Sequence, residues 1–181
     1  MFSQTKATHI AAYFLLKNGG DMPLLKLVKL LYIADRESMN QFDLPMTFYR
    51  LVAMPHGPVS SQTLDMMNGF TKCNVWEEFI RDREDHNIGL RKAVIIDDLD
   101  ELSDAEIEIL DNIWSDFGSM DQWQIRDFTH EKFSEWTDPK GSSIPISYEQ
   151  VFLALGRPPT EAKELANEII SRKTVNKILT R

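Results

Sequence analysis

The chain has 181 residues, 43% apolar and 27% charged, and its 20 Lys and Arg against 28 Asp and Glu give a formal charge of -8. That composition excludes a disordered chain, a collagen and a disulfide scaffold, and it fits one domain of roughly 100–200 residues spanning 1–181. The acidic balance argues against nucleic acid held through its phosphates, and the single cysteine, Cys73, allows neither an internal disulfide nor a cysteine-based zinc site.

No apolar leader opens the sequence, and no run nears the ~18 apolar residues of a membrane span. A reduced, cytoplasmic protein with no membrane partner is expected. The charge is unevenly placed. Residues 1–75 net +2, residues 76–121 net -11 and residues 122–181 net +1. The acidity therefore belongs to one central stretch, which reads either as a solvated face or as a surface for a basic partner.

In chain order, Ala7, Ala11, Phe14 and Leu15 recur at helical spacing and predict a helix over 4–18, stopped by Gly19 and Gly20. Asp21 suits an N-cap and Pro23 a first turn, so a second helix is predicted to about Asn40. Leu24, Leu27, Val28, Leu31 and Ala34 line its apolar face, and Lys26, Lys29 and Arg36 mark its wetter side. Thr47 to Met54, rich in β-formers, predicts a short strand or an extended segment. Pro55-His56-Gly57-Pro58 predicts a stiff bend without regular structure. Ser60 or Ser61 opens a short helix through Met67.

Two β-leaning runs, 79–83 and 92–96, flank Asn87-Ile88-Gly89 and predict a small hairpin. Ser103 with Glu106 forms a capping box before a helix with Ile107, Leu110, Trp114 and Phe117 inward. Ser119 with Gln122 resembles a second box, opening a helix with Trp123, Ile125 and Phe128 on the core side. Residues 137–146 read as a loop. Ser147 starts a helix through Leu155. A last helix over 160–179 is predicted to turn Leu165, Ile169, Ile170, Val175, Ile178 and Leu179 inward. The expected fold class is α+β, mainly α-helical, with a small β-hairpin or sheet.

Candidate chemistry is sparse. The four histidines lie too far apart in sequence for a metal site, and no phosphate loop or nucleophile elbow is present. The acids Asp97, Asp98, Asp100 and Glu101 favour a helix N-terminus more readily than a cation. No metal and no cofactor is expected. His130, with Glu131 or Asp127 as orienting carboxylate, is the one arrangement that an enzyme could use as a general base. The alternative is that His130 satisfies the last carbonyls of its helix. Arg172, Lys173, Lys177 and Arg181 make a basic C-terminal end, which leaves a DNA-binding autoregulator as a further reading.

The stretch Lys26-Leu27-Val28-Lys29-Leu30-Leu31-Tyr32-Ile33-Ala34 resembles the early helix of Panacea-domain (SocA-like) proteins. His56-Gly57-Pro58-Val59 resembles that family's Gly-Pro-Val turn, with His56 where the family usually has Tyr. Thr129-His130, Phe133, Glu135-Trp136, Asp138-Pro139 and Pro145-Ile146 resemble its Thr-His…Trp segment, with Ser134 at a common proline position. These landmarks span residues 24–156. The resemblance implies an antitoxin of a toxin–antitoxin pair, in a family with members on prophages and mobile elements. Such a protein neutralises a cognate protein toxin by direct binding, or delivers it to a AAA+ protease, and is not an enzyme. A basic toxin would complement the acidic stretch. On this reading Trp76, Phe133 and Trp136 are exposed anchors, Asp97, Asp98, Asp100 and His130 are further partner-binding residues, and Gly57, Pro58 and Thr129 are the structural motif.

Overall fold

The computed structural model describes residues 3–179, with side chains described from 3 to 175. Helix α1 (Gln4–Lys17) is capped by the Ser3 hydroxyl, which accepts from the Lys6 N–H, and it is buried continuously from Ala7 to Leu15. Burial on every face means that the helix runs through the core rather than over it. Asp21 does not cap the next helix. Asp21–Pro23 is a short strand, β1, paired antiparallel with β4 (Asn87–Gly89), and Asp21 is held by Arg81. The tertiary pairing displaces the local cap, so α2 (Leu24–Phe42) begins behind Pro23 with no side-chain cap.

A three-stranded antiparallel sheet has β2 (Leu51–Met54) at its centre, flanked by β3 (Gly57–Ser60) and β5 (Ile144–Ile146). Two expectations change here. The Gly57-Pro58 bend continues directly into a strand, and the loop over 137–146 ends in one. Pro58 opposes Ala53 and Pro145 opposes Val52, both on edge strands, where a missing N–H disrupts no interior ladder. The hairpin expected from the 79–83 and 92–96 runs is also replaced. Helix α4 (Asn74–Phe79), capped by the Cys73 sulfur, absorbs Phe79, and the predicted turn Asn87–Gly89 is itself the strand. From the first run Ile80 forms an isolated bridge with Leu90, which lies before the second run, and Ile96–Asp98 is a 3-10 turn.

The remaining helices are α3 (Ser61–Met67), α5 (Asp104–Phe117), α6 (Gln122–Lys132), α7 (Tyr148–Ala154) and α8 (Pro159–Leu179). The capping box of Ser103 and Glu106 forms as predicted. The box before α6 is made by Asp121 and Gln124, two residues beyond the predicted pair. Helix α8 leaves Ile170 and Val175 54% exposed, against the inward reading, and the side chains of Lys177, Ile178, Leu179 and Arg181 lie outside the described ones.

The fold is mainly helical α+β, as predicted, and α2 is its axis. Helices α1, α5 and α6 and strand β3 all pack on it. Among the described residues no helix is long and apolar enough to cross a membrane.

Candidate functional site

The polar face of α2 organises the molecule. Lys26, Lys29, Tyr32 and Arg36 recur three and four residues apart, which places them in one stripe along the helix. The sequence put Lys26, Lys29 and Arg36 on the wetter side. The structure buries the two lysines instead, Lys29 at 0% exposed and Lys26 at 6%, and leaves Arg36 half-buried. Each finds an oxygen on a different element. Lys26 Nζ donates to the Gly118 carbonyl just beyond α5 at 2.7 Å and lies over the Trp114 ring. Lys29 Nζ donates to the Pro58 carbonyl on β3 at 2.9 Å. The Tyr32 hydroxyl, at 3.0 Å, and Arg36 Nε, at 2.8 Å, both donate to Glu135 Oε1 in the segment after α6. A buried cation is tolerable only when it meets such acceptors.

The Lys29 end of this stripe is the tightest point. Gly57 has φ +98°, in the left-handed region that glycine tolerates. A Cβ there would stand 2.7 Å from Lys29 Nζ, 2.9 Å from Thr129 Oγ1 and 3.0 Å from His130 Cδ2. The Thr129 hydroxyl donates to the Arg126 carbonyl, a back-bond within α6. The His130 ring lies flat on Trp136, with centroids 3.9 Å apart and planes 6° off parallel. Trp136 Nε1 in turn donates to the Met54 carbonyl at 3.0 Å, tying the segment to β2.

Burial lowers the Lys29 pKa to about 7, and the Arg126 charge adds to the shift. Burial also lowers that of His130, helped by the Lys29 and Arg126 charges and opposed by the His56 carbonyl and Asp127. His130 Nε2 has no hydrogen-bond partner among the described residues. Asp127, one of the two carboxylates considered as its orienter, is paired with Arg126 at 2.6 Å. The other, Glu131, is exposed. Ser134 lies past the end of α6 and does not share a helical face with His130.

The cluster thus gathers Gly57, Pro58, Thr129, His130 and Trp136. The other proposed partner residues lie elsewhere. Trp76 and Phe133 are both 6% exposed, so neither is the exposed anchor that the sequence suggested. Phe133 is enclosed by Phe128, Tyr32 and the Arg36 guanidinium, which sits 4.1 Å from its ring centre. Trp136 is half-buried. Asp97, Asp98 and Asp100 are exposed, with Asp98 also accepting from the Ile95 N–H.

One surface aromatic was misread. Trp123 is 49% exposed, stacked under Arg126 at 4.9 Å, and borders a cleft of about 360 Å³ shared with Leu24, Leu25, His56, Arg83 and His86. The spacing could have signalled this, because Trp123 lies two residues before the buried Ile125 and so falls on the opposite side of α6.

Fold and cluster together describe a helical α+β scaffold whose polar signature side chains are engaged in internal bonds. The model of a protein family described as antitoxin SocA-like, Panacea domain, matches residues 27–137. That is more than half of the chain, and the chain belongs to this family. The matched span runs from α2 to just past Trp136, so it contains the whole stripe from Lys29 onward and both segments that close over it. No curated protein and no solved structure matches the chain.

Proposed function

We propose that this protein is an antitoxin that neutralises a cognate protein toxin by binding it directly in the cytoplasm. Membership of the SocA-like antitoxin family carries this reading. The arrangement of the signature residues is consistent with it. Lys29, Tyr32, Thr129, Glu135 and Trp136 are all held in internal hydrogen bonds, which suits a scaffold that presents loops to a partner. A basic toxin would be drawn to the exposed acids of the 76–121 stretch, among them Asp97, Asp98 and Asp100. His130 and Trp136 would support that surface from within, while Trp76 and Phe133 would act through packing.

The protein on this reading is a binding module and not an enzyme, since His130 lies flat on Trp136 and the carboxylate of Asp127 is taken by Arg126. Direct DNA binding is disfavoured, because Arg172 is paired with Glu168 and Lys173 turns inward to the Tyr148 hydroxyl. Delivery of the toxin to a AAA+ protease is the alternative route to neutralisation. Co-expression of the chain with the product of its adjacent gene tests the proposal. A product that arrests growth alone and is silenced by this chain supports it; a harmless product, or equal arrest with and without the chain, overturns it. Toxin half-life in the pair separates occlusion from degradation.

A further inference from the structure

A groove of about 660 Å³ lies away from the signature cluster, between the α2–β2 connection, the loop leading into α5, and α8. Phe42, Leu44, Met46, Phe48 and Leu102 give it an apolar lining, and Phe42 is 49% exposed. A volume of this size is within the range of binding sites rather than surface roughness.

The wall carrying Phe42 to Phe48 is pinned from several sides. The Ser38 hydroxyl donates to the Leu44 carbonyl at 2.7 Å, Arg157 pairs with Asp43 at 2.9 Å, and the buried Asp35 accepts from the Thr47 N–H at 3.0 Å and from its hydroxyl. The groove is therefore preformed, which lowers the ordering cost of binding. Within that wall Phe48 has φ +57°, a conformation that is unfavourable for a bulky residue and that persists where the surroundings hold it.

The charge at the rim has one sign. The two cations at the groove are each matched: Lys6 by Glu106 at 2.8 Å and Arg172 by Glu168 at 2.7 Å. Asp100 is 85% exposed, and its nearest basic group, His9 Nδ1 at 3.7 Å, accepts the Glu101 N–H and so carries no proton on that nitrogen. Asp100 and Glu101 are left as the uncompensated charges beside an apolar floor. We propose that this groove is the docking site for a basic segment with an apolar face on the partner protein. The identity of that partner as a toxin rests on the antitoxin reading; the chemistry of the groove does not.

The probe is a fluorescein-labelled helical peptide with leucine on one face and lysine on the other, titrated into the full chain by anisotropy and mapped by amide shifts. Saturable binding is expected, with shifts at Phe42–Phe48 and Asp100–Glu106. Phe42→Glu and Asp100→Lys, both at exposed positions, should each weaken it by roughly tenfold or more, the weight of one hot-spot contact. Trp123→Ala, in the other cleft, should leave it unchanged. A lysine–serine peptide of equal charge should bind at least about tenfold more weakly, since it lacks the apolar face. Absence of saturable binding, shifts centred on the Trp123 cleft, or equal affinity for both peptides would overturn the proposal. The same variants co-expressed with the adjacent gene product separate the two readings. Neutralisation that survives both substitutions removes the groove and leaves the antitoxin. Peptide capture by the groove with a harmless gene product removes the antitoxin and leaves the groove.

Discussion

Lys29 and Gly57 form an interlock: the ammonium bonds the Pro58 carbonyl at 2.9 Å and occupies the space that a Cβ on residue 57 would need. The lysine of the central helix and the glycine of the turn therefore require one another. The two lie 28 positions apart in sequence, and both fall within residues 27–137, the span that the family model matches.

Gly57→Ala should be among the most damaging single-methyl changes in the protein. It forces φ +98° on an alanine and presses a methyl to within 3.0 Å of three side chains, two of them fully buried. A loss of about 2–4 kcal/mol is expected from the backbone conformation and the overpacking. For a chain of this size that lowers Tm by about 4–16 °C. A melting curve within a degree of wild type would mean that the turn opens freely.

Lys29 makes stability depend on pH. Its folded-state pKa is lowered to about 7 from 10.5, so between pH 7 and 10.5 the unfolded chain binds more protons than the folded one. Stability should therefore rise with pH through that window, with a slope of up to about 1.4 kcal/mol per pH unit. The tyrosines with raised pKa, Tyr32 among them, oppose this only near pH 10. Lys29→Met leaves the Pro58 carbonyl without its donor and should flatten the slope between pH 7 and 9. Urea titrations at pH 7, 8 and 9 on both proteins read it directly.

Asp35 acts in the opposite sense. Burial raises its pKa from 3.8 to about 7, against the hydrogen bonds from Thr47 that favour the carboxylate. Between about pH 4 and 7 the folded chain holds the extra proton, so this contribution is full at low pH and is lost as pH rises through 7. Asp35→Asn keeps an acceptor for the Thr47 N–H and offers a donor to the Thr47 hydroxyl. It should gain about 1–3 kcal/mol at pH 8 and show no advantage at pH 4. His9 and His130, whose pKa values are lowered, give wild type and variant the same acid-side loss, so the difference between the two isolates Asp35.

Local chemistry was legible where it is settled within a few residues. The capping box at Ser103, the helix start at Ser147 and the break at Gly19-Gly20 follow directly from residue type and spacing. The cap of α6 was missed by two residues, and Trp123 was placed in the core by its helical spacing although it stands opposite the buried Ile125. The burial of Lys26 and Lys29 was not legible, because periodicity sorts polar from apolar and takes polar to mean wet. Here the polar stripe faces carbonyls and a carboxylate supplied from residues 58, 118 and 135. Strands of three residues such as β1 and β4 have no local signature and exist only through each other. The acidic groove was half visible: Asp100 was singled out, but Phe42 and Phe48 meet it only in the folded chain.

Glu135 closes the other end of the stripe, and its loss separates geometry from charge. Its carboxylate is 0% exposed and one oxygen accepts from both the Tyr32 hydroxyl and Arg36 Nε. Glu135→Ala strands both donors beside Phe133 and should cost about 3 kcal/mol, the penalty of breaking a buried pair. Tm should then fall by about 6–12 °C. Glu135→Gln keeps the shared acceptor and gives up only the charge assistance, so its cost should be about 1 kcal/mol. Because the pair is shielded, 1 M salt should change neither difference much. Equal losses for Ala and Gln would show that charge, and not the acceptor position, joins α2 to the segment after α6.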